Sequence, residues 1–281
     1  MKQKKLKVLD LFSGIGGFSY ASEQLVGGFE TVAFCEIDKF CQKVLKKNFP
    51  NVPIYDDVKE LQNETARFRG VDIVCGGFPC QPVSQAGFQK ATEDDRWLWN
   101  EMFRIIQDCK PRYVIGENVV GLVNINEGVL FEQVQSDLEK EGYKVQSFII
   151  PACAKNAPHR RDRVWIIGQL STNTSSKGLQ GGIHRGKMER RKTLQQNFGY
   201  TSAVCEQPKE RTETAFGKMG NMANGISTGL LRHFDREPDH IQRLTTGEKD
   251  RGKKLMALGN SIVPQVVAEI FQAIKEVEKT K

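Results

Sequence analysis

The sequence predicts an α/β fold: a parallel or mostly parallel sheet with helices over both faces. Three observations carry this expectation. Short β-branched runs alternate with helical stretches over about 170 residues. The first strand runs into a cluster of glycines that opens a helix, and acidic residues recur just past strand ends, where open α/β sheets form their ligand crevice.

Lys5 to Phe12 reads as the first strand, and Ser13-Gly14-Ile15-Gly16-Gly17-Phe18 turns it into a helix towards Leu25. Glycines there bring backbone amides and a helix N-terminus close to a ligand. The spacing is not GxGxxG, so a tight βα turn without a ligand is an equally good reading. Thr31 to Cys35 forms a second strand ending in Glu36-Ile37-Asp38, roughly 20 residues beyond the glycines, where such folds place an acid for ribose hydroxyls. Asp38 caps a helix to Asn48, a short strand lies near Val52–Tyr55, and Asp56-Asp57 follows it. Asp57 suits either an adenine amino group or the N-cap of a helix over Val58–Phe68.

Val71 to Cys75 makes the fourth strand, and it delivers the loop Gly76-Gly77-Phe78-Pro79-Cys80-Gln81-Pro82-Val83-Ser84. Pro79 and Pro82 restrict the backbone on either side of the thiol, which suits a nucleophile, although most free cysteines are small buried hydrophobes. A helix from Leu98 to Cys109 precedes a fifth strand, Tyr113–Ile115, with Glu117 just past its end. A helix over Glu127–Lys140 and strands over Tyr143–Ile150 and Arg163–Ile167 follow, the last preceded by His159-Arg160-Arg161-Asp162-Arg163. From Ser171 to about Gln242 the composition turns polar, glycine-rich and basic, as in a loop-rich small domain or a solvated insert. A final helix over Gln265–Glu278 presents Val266, Val267, Ile270, Ala273, Ile274 and Val277 to the large domain. The expected domains are 1–170 with 255–281, and 171–254.

A formal charge of +7 over 281 residues leans towards a polyanionic partner. The apolar run near the N-terminus stops at Asp10, too short for a signal-peptide core, and no stretch approaches membrane length, so a cytoplasmic location and no membrane partner are expected. Seven cysteines without paired spacing predict free thiols and no structural metal. A cysteine protease needs a histidine partner, and His159 is the one histidine in the ordered-looking large domain. A hydride-transfer enzyme needs a better glycine fingerprint. A thiolate can instead add to C6 of a pyrimidine, helped by a carboxylic acid that protonates N3, which leaves C5 ready to attack an electrophilic methyl group.

The blocks DLFSGIGGF (10–18), Glu36, DDV (56–58), GGFPCQPVS (76–84), ENV (117–119), HRRDR (159–163) and GNSIVP (259–264) resemble those of the C5-specific cytosine-DNA methyltransferases, in the family's order. The resemblance covers the chain outside 171–242. It implies a Rossmann-like S-adenosylmethionine-dependent methyltransferase sheet with a small, loop-rich target-recognition domain. It also implies S-adenosyl-L-methionine as methyl donor and S-adenosyl-L-homocysteine as product. Phe12, Gly14, Gly16, Glu36, Ile37, Asp57, Leu98, Asn260 and Ser261 would bind the donor. Cys80 would attack C6, Glu117 would protonate N3, and Arg163 with Arg161 would steady O2 of the base and favour the thiolate. The target cytosine would be flipped between Phe78-Pro79 and Glu117, with Gln81 and Ser84 touching the DNA left behind. Double-stranded DNA is the implied partner, a monomer the expected state, and a restriction-modification setting in a bacterium or phage the family context.

Two departures from the family pattern stand out. His159 replaces the usual glutamine ahead of the arginines, and the stretch from Arg243 to Arg251 is compact before GNSIVP. The competing functions are a tRNA cytosine-5 methyltransferase, which shares the catalytic set, and a catalytically silent DNA-binding regulator.

Overall fold

The structure, a computed structural model, describes residues 4–79, 97–155, 157, 159–171 and 250–280. Residues 1–201 with 257–281 form one unit and 202–256 another, so the described strands all belong to the first. Seven strands, β1 (Leu6–Leu11), β2 (Phe29–Cys35), β3 (Ile54–Tyr55), β4 (Ile73–Gly76), β5 (Tyr113–Val119), β6 (Tyr143–Pro151) and β7 (Asp162–Leu170), make one sheet in the order β3-β2-β1-β4-β5-β7-β6. Only β7 runs against the others, between β5 and β6. Chain order reverses between β1 and β4, and the carboxyl ends of that pair form the crevice where open α/β sheets take ligands.

The helices are α1 (Gly17–Tyr20, continued by a π-helical stretch Ala21–Val26), α2 (Lys39–Asn48), α3 (Trp99–Cys109), α4 (Val129–Lys140), α5 (Arg251–Asn260) and α6 (Pro264–Lys279). Asp38 caps α2 as expected, its side chain accepting from Cys41 N at 2.8 Å. Pro264 sits in the first turn of α6, where its missing N–H is no loss. The helix expected after Asp57 is a 3-10 helix, Glu60–Phe68.

β1 is buried from Val8 to Leu11, as a central parallel strand must be. Leu9, Leu11, Val74, Val114 and Ile166 face one side, packed by α3 and α4 through Met102, Ile105, Phe131 and Val134. Val8, Ile73, Ile115 and Trp165 face the other, packed by Phe18 of α1 and by Val266, Val267, Ile270, Phe271 and Ile274 of α6. Each such buried side chain contributes about 2 kcal/mol of transfer free energy. Of the face expected for the last helix, Ala273 and Val277 are exposed, and Phe271, which that expectation omitted, is buried against Phe29 with ring centroids 5.0 Å apart. The helix is rotated so that the larger ring is inside.

Two polar clamps hold α6. Arg112 bridges Asp72 and Glu278, and Tyr113 Oη donates to Glu278 at 2.8 Å. Lys275 Nζ donates to the Val26 carbonyl at 2.9 Å.

One further expectation needs correction, and one element is an addition to those expected. The fifth strand does not stop at Ile115 but continues to Val119, because β7 pairs antiparallel along all of it, Glu117 opposite Trp165 and Val119 opposite Arg163. Glu117 therefore stands inside a strand rather than on the loop after one. Helix α5, with no strong apolar periodicity, was not expected from the sequence. No helix among the described residues is long and apolar enough to cross a membrane.

Candidate active site

The first edge of the crevice is the turn after β1. Phe12, at φ 51, and Gly14, at φ 54, take left-handed backbone, and Gly16 at φ 86 leads into α1. Ser13 fixes the turn: its N–H donates to the Cys35 carbonyl at 3.1 Å and its hydroxyl to the Asp10 carbonyl at 2.6 Å. Among the described residues, and apart from its two chain neighbours, nothing lies within 4 Å of where a Cβ on Gly14 would stand. Glu36, past β2, leans over the same turn, its carboxylate accepting from Gly14 N at 2.6 Å and Asp38 N at 2.8 Å. Burial pushes its pKa up against those two amides. Beside it Ile37 is 70% exposed, an apolar side chain with no core to join.

Asp57 accepts from Lys59 N at 2.9 Å in the turn before the 3-10 helix, whose N-cap is Lys59 and not Asp57 as one reading of the sequence had it, and the adjoining Asp56 binds Lys39 and Gln42. Leu98 is half-buried against the α3 side of the core. Asn260 ends α5, and Ser261 joins α5 to α6.

An acceptor carboxylate, a glycine turn, an exposed apolar side chain and a helix N-terminus match the chemistry of a nucleoside bearing an amino-acid tail. The residues present fit that kind of ligand.

The second edge begins where β4 ends, and the two edges meet: a Cβ on Gly76 would stand 3.3 Å from the Phe12 ring. Gly77 follows, and a Cβ there would lie 3.1 Å from Glu117 Oε2. On the opposite side Arg163 Nε donates to Glu117 Oε1 at 2.9 Å, with the carboxylate side chain only 12% exposed. Burial raises the Glu117 pKa, and the charges of Arg163 and Arg161 oppose it. Arg161 Nη2 donates to the Ser261 carbonyl at 2.7 Å; burial, then the adjacent Arg163 charge, lowers its pKa.

Phe78 is 2% exposed, its ring held edge-on by Trp97 at 5.8 Å and tilted against Trp99 at 5.2 Å, while Asn118 Nδ2 donates to its carbonyl at 2.9 Å. Pro79 is exposed immediately after it. Cys80, Gln81 and Ser84 lie outside the described residues, as does the recognition segment apart from Ser171 and residues 250–254.

The crevice thus brings together Phe12, Gly14, Glu36 and Ile37 on one edge, and Gly77, Phe78, Pro79, Glu117, Arg161 and Arg163 on the other. Three residues of the crevice were missed in the sequence. Asp10 is fully buried beneath the glycine turn, accepting from Ser19 Oγ at 2.8 Å, and burial pushes its pKa up to about 8. Its signal was a lone acid within an apolar strand. Asn118 and Gly77 hold the backbone and the carboxylate of the second edge, and both stood within blocks already singled out.

The sheet order with its reversed β7, and the glycine turn at the switch point, define a Rossmann-like methyltransferase fold. The family model described as C-5 cytosine-specific DNA methylase matches residues 6–230, and the chain belongs to that family. The type II methyltransferase M.BanI of Aneurinibacillus aneurinilyticus is 32% identical over 248 residues, 84% of this chain and 56% of that protein. The type II methyltransferase M.DsaV of Dactylococcopsis salina is 35% identical over 177 residues, 63% of this chain and 49% of that one. The chain spans about half the length of the curated relatives it matches. The crystal structure of S. pombe Dnmt2 methyltransferase covers 97% of this chain at a TM-score of 0.60 and 19% identity, a likeness of fold.

Proposed function

We propose that the protein is a DNA (cytosine-5-)-methyltransferase that transfers a methyl group from S-adenosyl-L-methionine to C5 of cytosine in a specific duplex sequence. The observation that carries this reading is the buried Glu117 carboxylate, paired with Arg163 at 2.9 Å and set against Gly77 on the strand end that leads into Pro79-Cys80. A proton donor, a cation and a thiol on one crevice edge serve addition to a pyrimidine ring.

Bound S-adenosyl-L-methionine supplies an electrophilic methyl group. Glu36 would accept from its ribose hydroxyls, Phe12 and Ile37 would flank its adenine, and Asp57 would meet the amino group with Leu98 nearby. Gly14 and Gly16 would let its tail approach the backbone, and Asn260 and Ser261 would complete the pocket.

On the other edge Cys80 attacks C6 of a cytosine drawn out of the helix, since neither face of the ring is reachable inside a duplex. Glu117 gives its proton to N3, so negative charge does not build up on the ring. Arg163 holds O2 and stays beside the carboxylate. C5 would then take the methyl group as the donor's sulfur–carbon bond breaks, leaving S-adenosyl-L-homocysteine; loss of the C5 proton to a base and return of the N3 proton to Glu117 would expel Cys80 as its thiolate and restore the ring. The buried Phe78 shapes the wall behind Pro79, and Gln81 and Ser84 contact the DNA that the base has left. Residues 171–254 form the target-recognition domain, facing the major groove where base pairs are distinguishable, and residues 1–170 with 255–281 the catalytic domain. The protein works as a cytoplasmic monomer on double-stranded DNA.

The test is labelled methyl transfer to duplex DNA and to tRNA side by side, with trapping on duplexes carrying 5-fluorocytosine. The proposal expects labelled DNA, a covalent complex with wild type and none with Cys80→Ala, and donor binding retained by that variant. Label in tRNA alone rejects it, as does tight DNA binding by wild type with neither label nor adduct.

A further inference from the structure

Arg161 and Arg163 stand two residues apart, yet their hydrogen bonds run in different directions. Arg163 holds Glu117, whereas Arg161 Nη2 reaches the carbonyl of Ser261, 100 residues further along the chain. That carbonyl belongs to the joint between two helices. Ser261 N still donates to Ala257 O at 3.1 Å, closing α5, and Val263 is already the N-cap of α6. Carbonyls at a helix end lack partners within the helix, and a cation there is favourable.

The joint bears on the glycine turn through the next residue. A Cβ on Gly17 would stand 2.6 Å from Ile262 Cγ1, so the isoleucine lies directly on the first residue of α1. Three steps, Arg161 to Ser261, Ser261 to Ile262 and Ile262 to Gly17, connect the start of β7 with the turn that carries Gly14 and Gly16. Arg161 also holds left-handed backbone, φ 36, a conformation that persists in a non-glycine residue only where its surroundings enforce it.

We propose that Arg161 is a positioning residue for the methyl-donor pocket: by holding the Ser261 carbonyl it keeps Ile262 seated on Gly17 and the glycine turn in its binding shape. This rests on the function proposed above and divides the two arginines, Arg163 serving the base and Arg161 the donor. A lysine cannot copy the fork of donors that lets a guanidinium lie along a helix end.

The experiment measures calorimetric binding of S-adenosyl-L-homocysteine to the full-length protein without DNA, together with kcat and the donor KM. Arg161→Met is expected to bind the product about tenfold more weakly and to raise the donor KM to match, a hydrogen bond from a charged donor being lost. Its kcat at saturating donor falls far less than that of Arg163→Met, whose product binding stays within about twofold of wild type. Arg161→Lys recovers part of the affinity. Ile262→Ala, which leaves both arginines in the chain, repeats the binding loss and decides the matter if Arg161→Met does not fold. Wild-type affinity in Arg161→Met or in Ile262→Ala overturns the proposal, as does a collapse of kcat in Arg161→Met with binding intact. Failure of wild type itself to bind the product overturns the underlying function as well, so the two failures are told apart.

Discussion

Gly77, just past the end of β4, lies beside Glu117 of β5: a methyl group on the glycine would sit 3.1 Å from the carboxylate oxygen that Arg163 does not hold. The closeness makes Gly77 the residue that sets how far Glu117 extends over the crevice. Gly77 does not use left-handed backbone, so alanine is conformationally acceptable there and only the contact changes. Gly77→Ala is expected to lower kcat by on the order of 10- to 100-fold through a displaced acid, with an unaltered thermal melt. Steady-state methylation at saturating donor and DNA checks it, and an unchanged kcat sinks this account of the glycine.

In the proposed mechanism Glu117 is an acid, and burial raises its pKa despite two nearby arginines. The active form is the protonated one, so kcat/KM is expected to fall as pH rises through that raised value. The Arg163 charge lowers that pKa, and its removal lets the pKa rise further. In Arg163→Met the falling limb therefore moves to higher pH while the plateau drops. A pH–rate profile of both proteins decides it; a limb that moves to lower pH contradicts the assignment.

Asp10 gives a stability signature. Its folded pKa, pushed from 3.8 to about 8 by burial, means the folded state holds a proton that the unfolded chain releases. The contribution of this group is full below about 3.8 and is lost as pH rises towards about 8, with a slope of at most about 1.4 kcal/mol per pH unit. Asp10→Asn keeps an acceptor for Ser19 and removes the titration. Urea melts between pH 5 and 8 should show a steeper decline in wild type than in the variant, in which Glu36 and Glu117 still titrate; parallel declines would dispose of this reading.

Arg112 joins Asp72 to Glu278 while partly exposed, so its charge contribution is screened. Arg112→Met should destabilise the fold by about 1 kcal/mol, with kcat and both KM values unchanged. Chemical denaturation beside a methylation assay tests both halves.

Much of the fold was legible because its signals are local. Strand positions followed from β-branched runs, and Asp38 announced its cap by standing before a helical stretch. What escaped depends on partners far away in sequence. Glu117 lies inside β5 only because β7 returns antiparallel beside it, and nothing in Tyr113–Val119 encodes that. Phe271 rather than Ala273 faces the core because Phe29 offers it a ring. In the site, residue types were readable from the blocks, but the separate attachments of Arg161 and Arg163 were not, since a run of arginines carries no mark of which carbonyl or carboxylate each will meet.

The seating of α6 on β2 has a consequence for the birth of the protein. Phe29 is covered by Phe271, and Val26 is capped by Lys275, a contact spanning 249 residues. A ribosome adding about 5–20 residues per second needs on the order of ten seconds or more to make what lies between. For that interval one side of the nascent sheet stays bare. A chain stalled anywhere in 171–254 carries a bare apolar face and becomes a client for chaperones and proteases, so an incomplete chain is destroyed rather than accumulating.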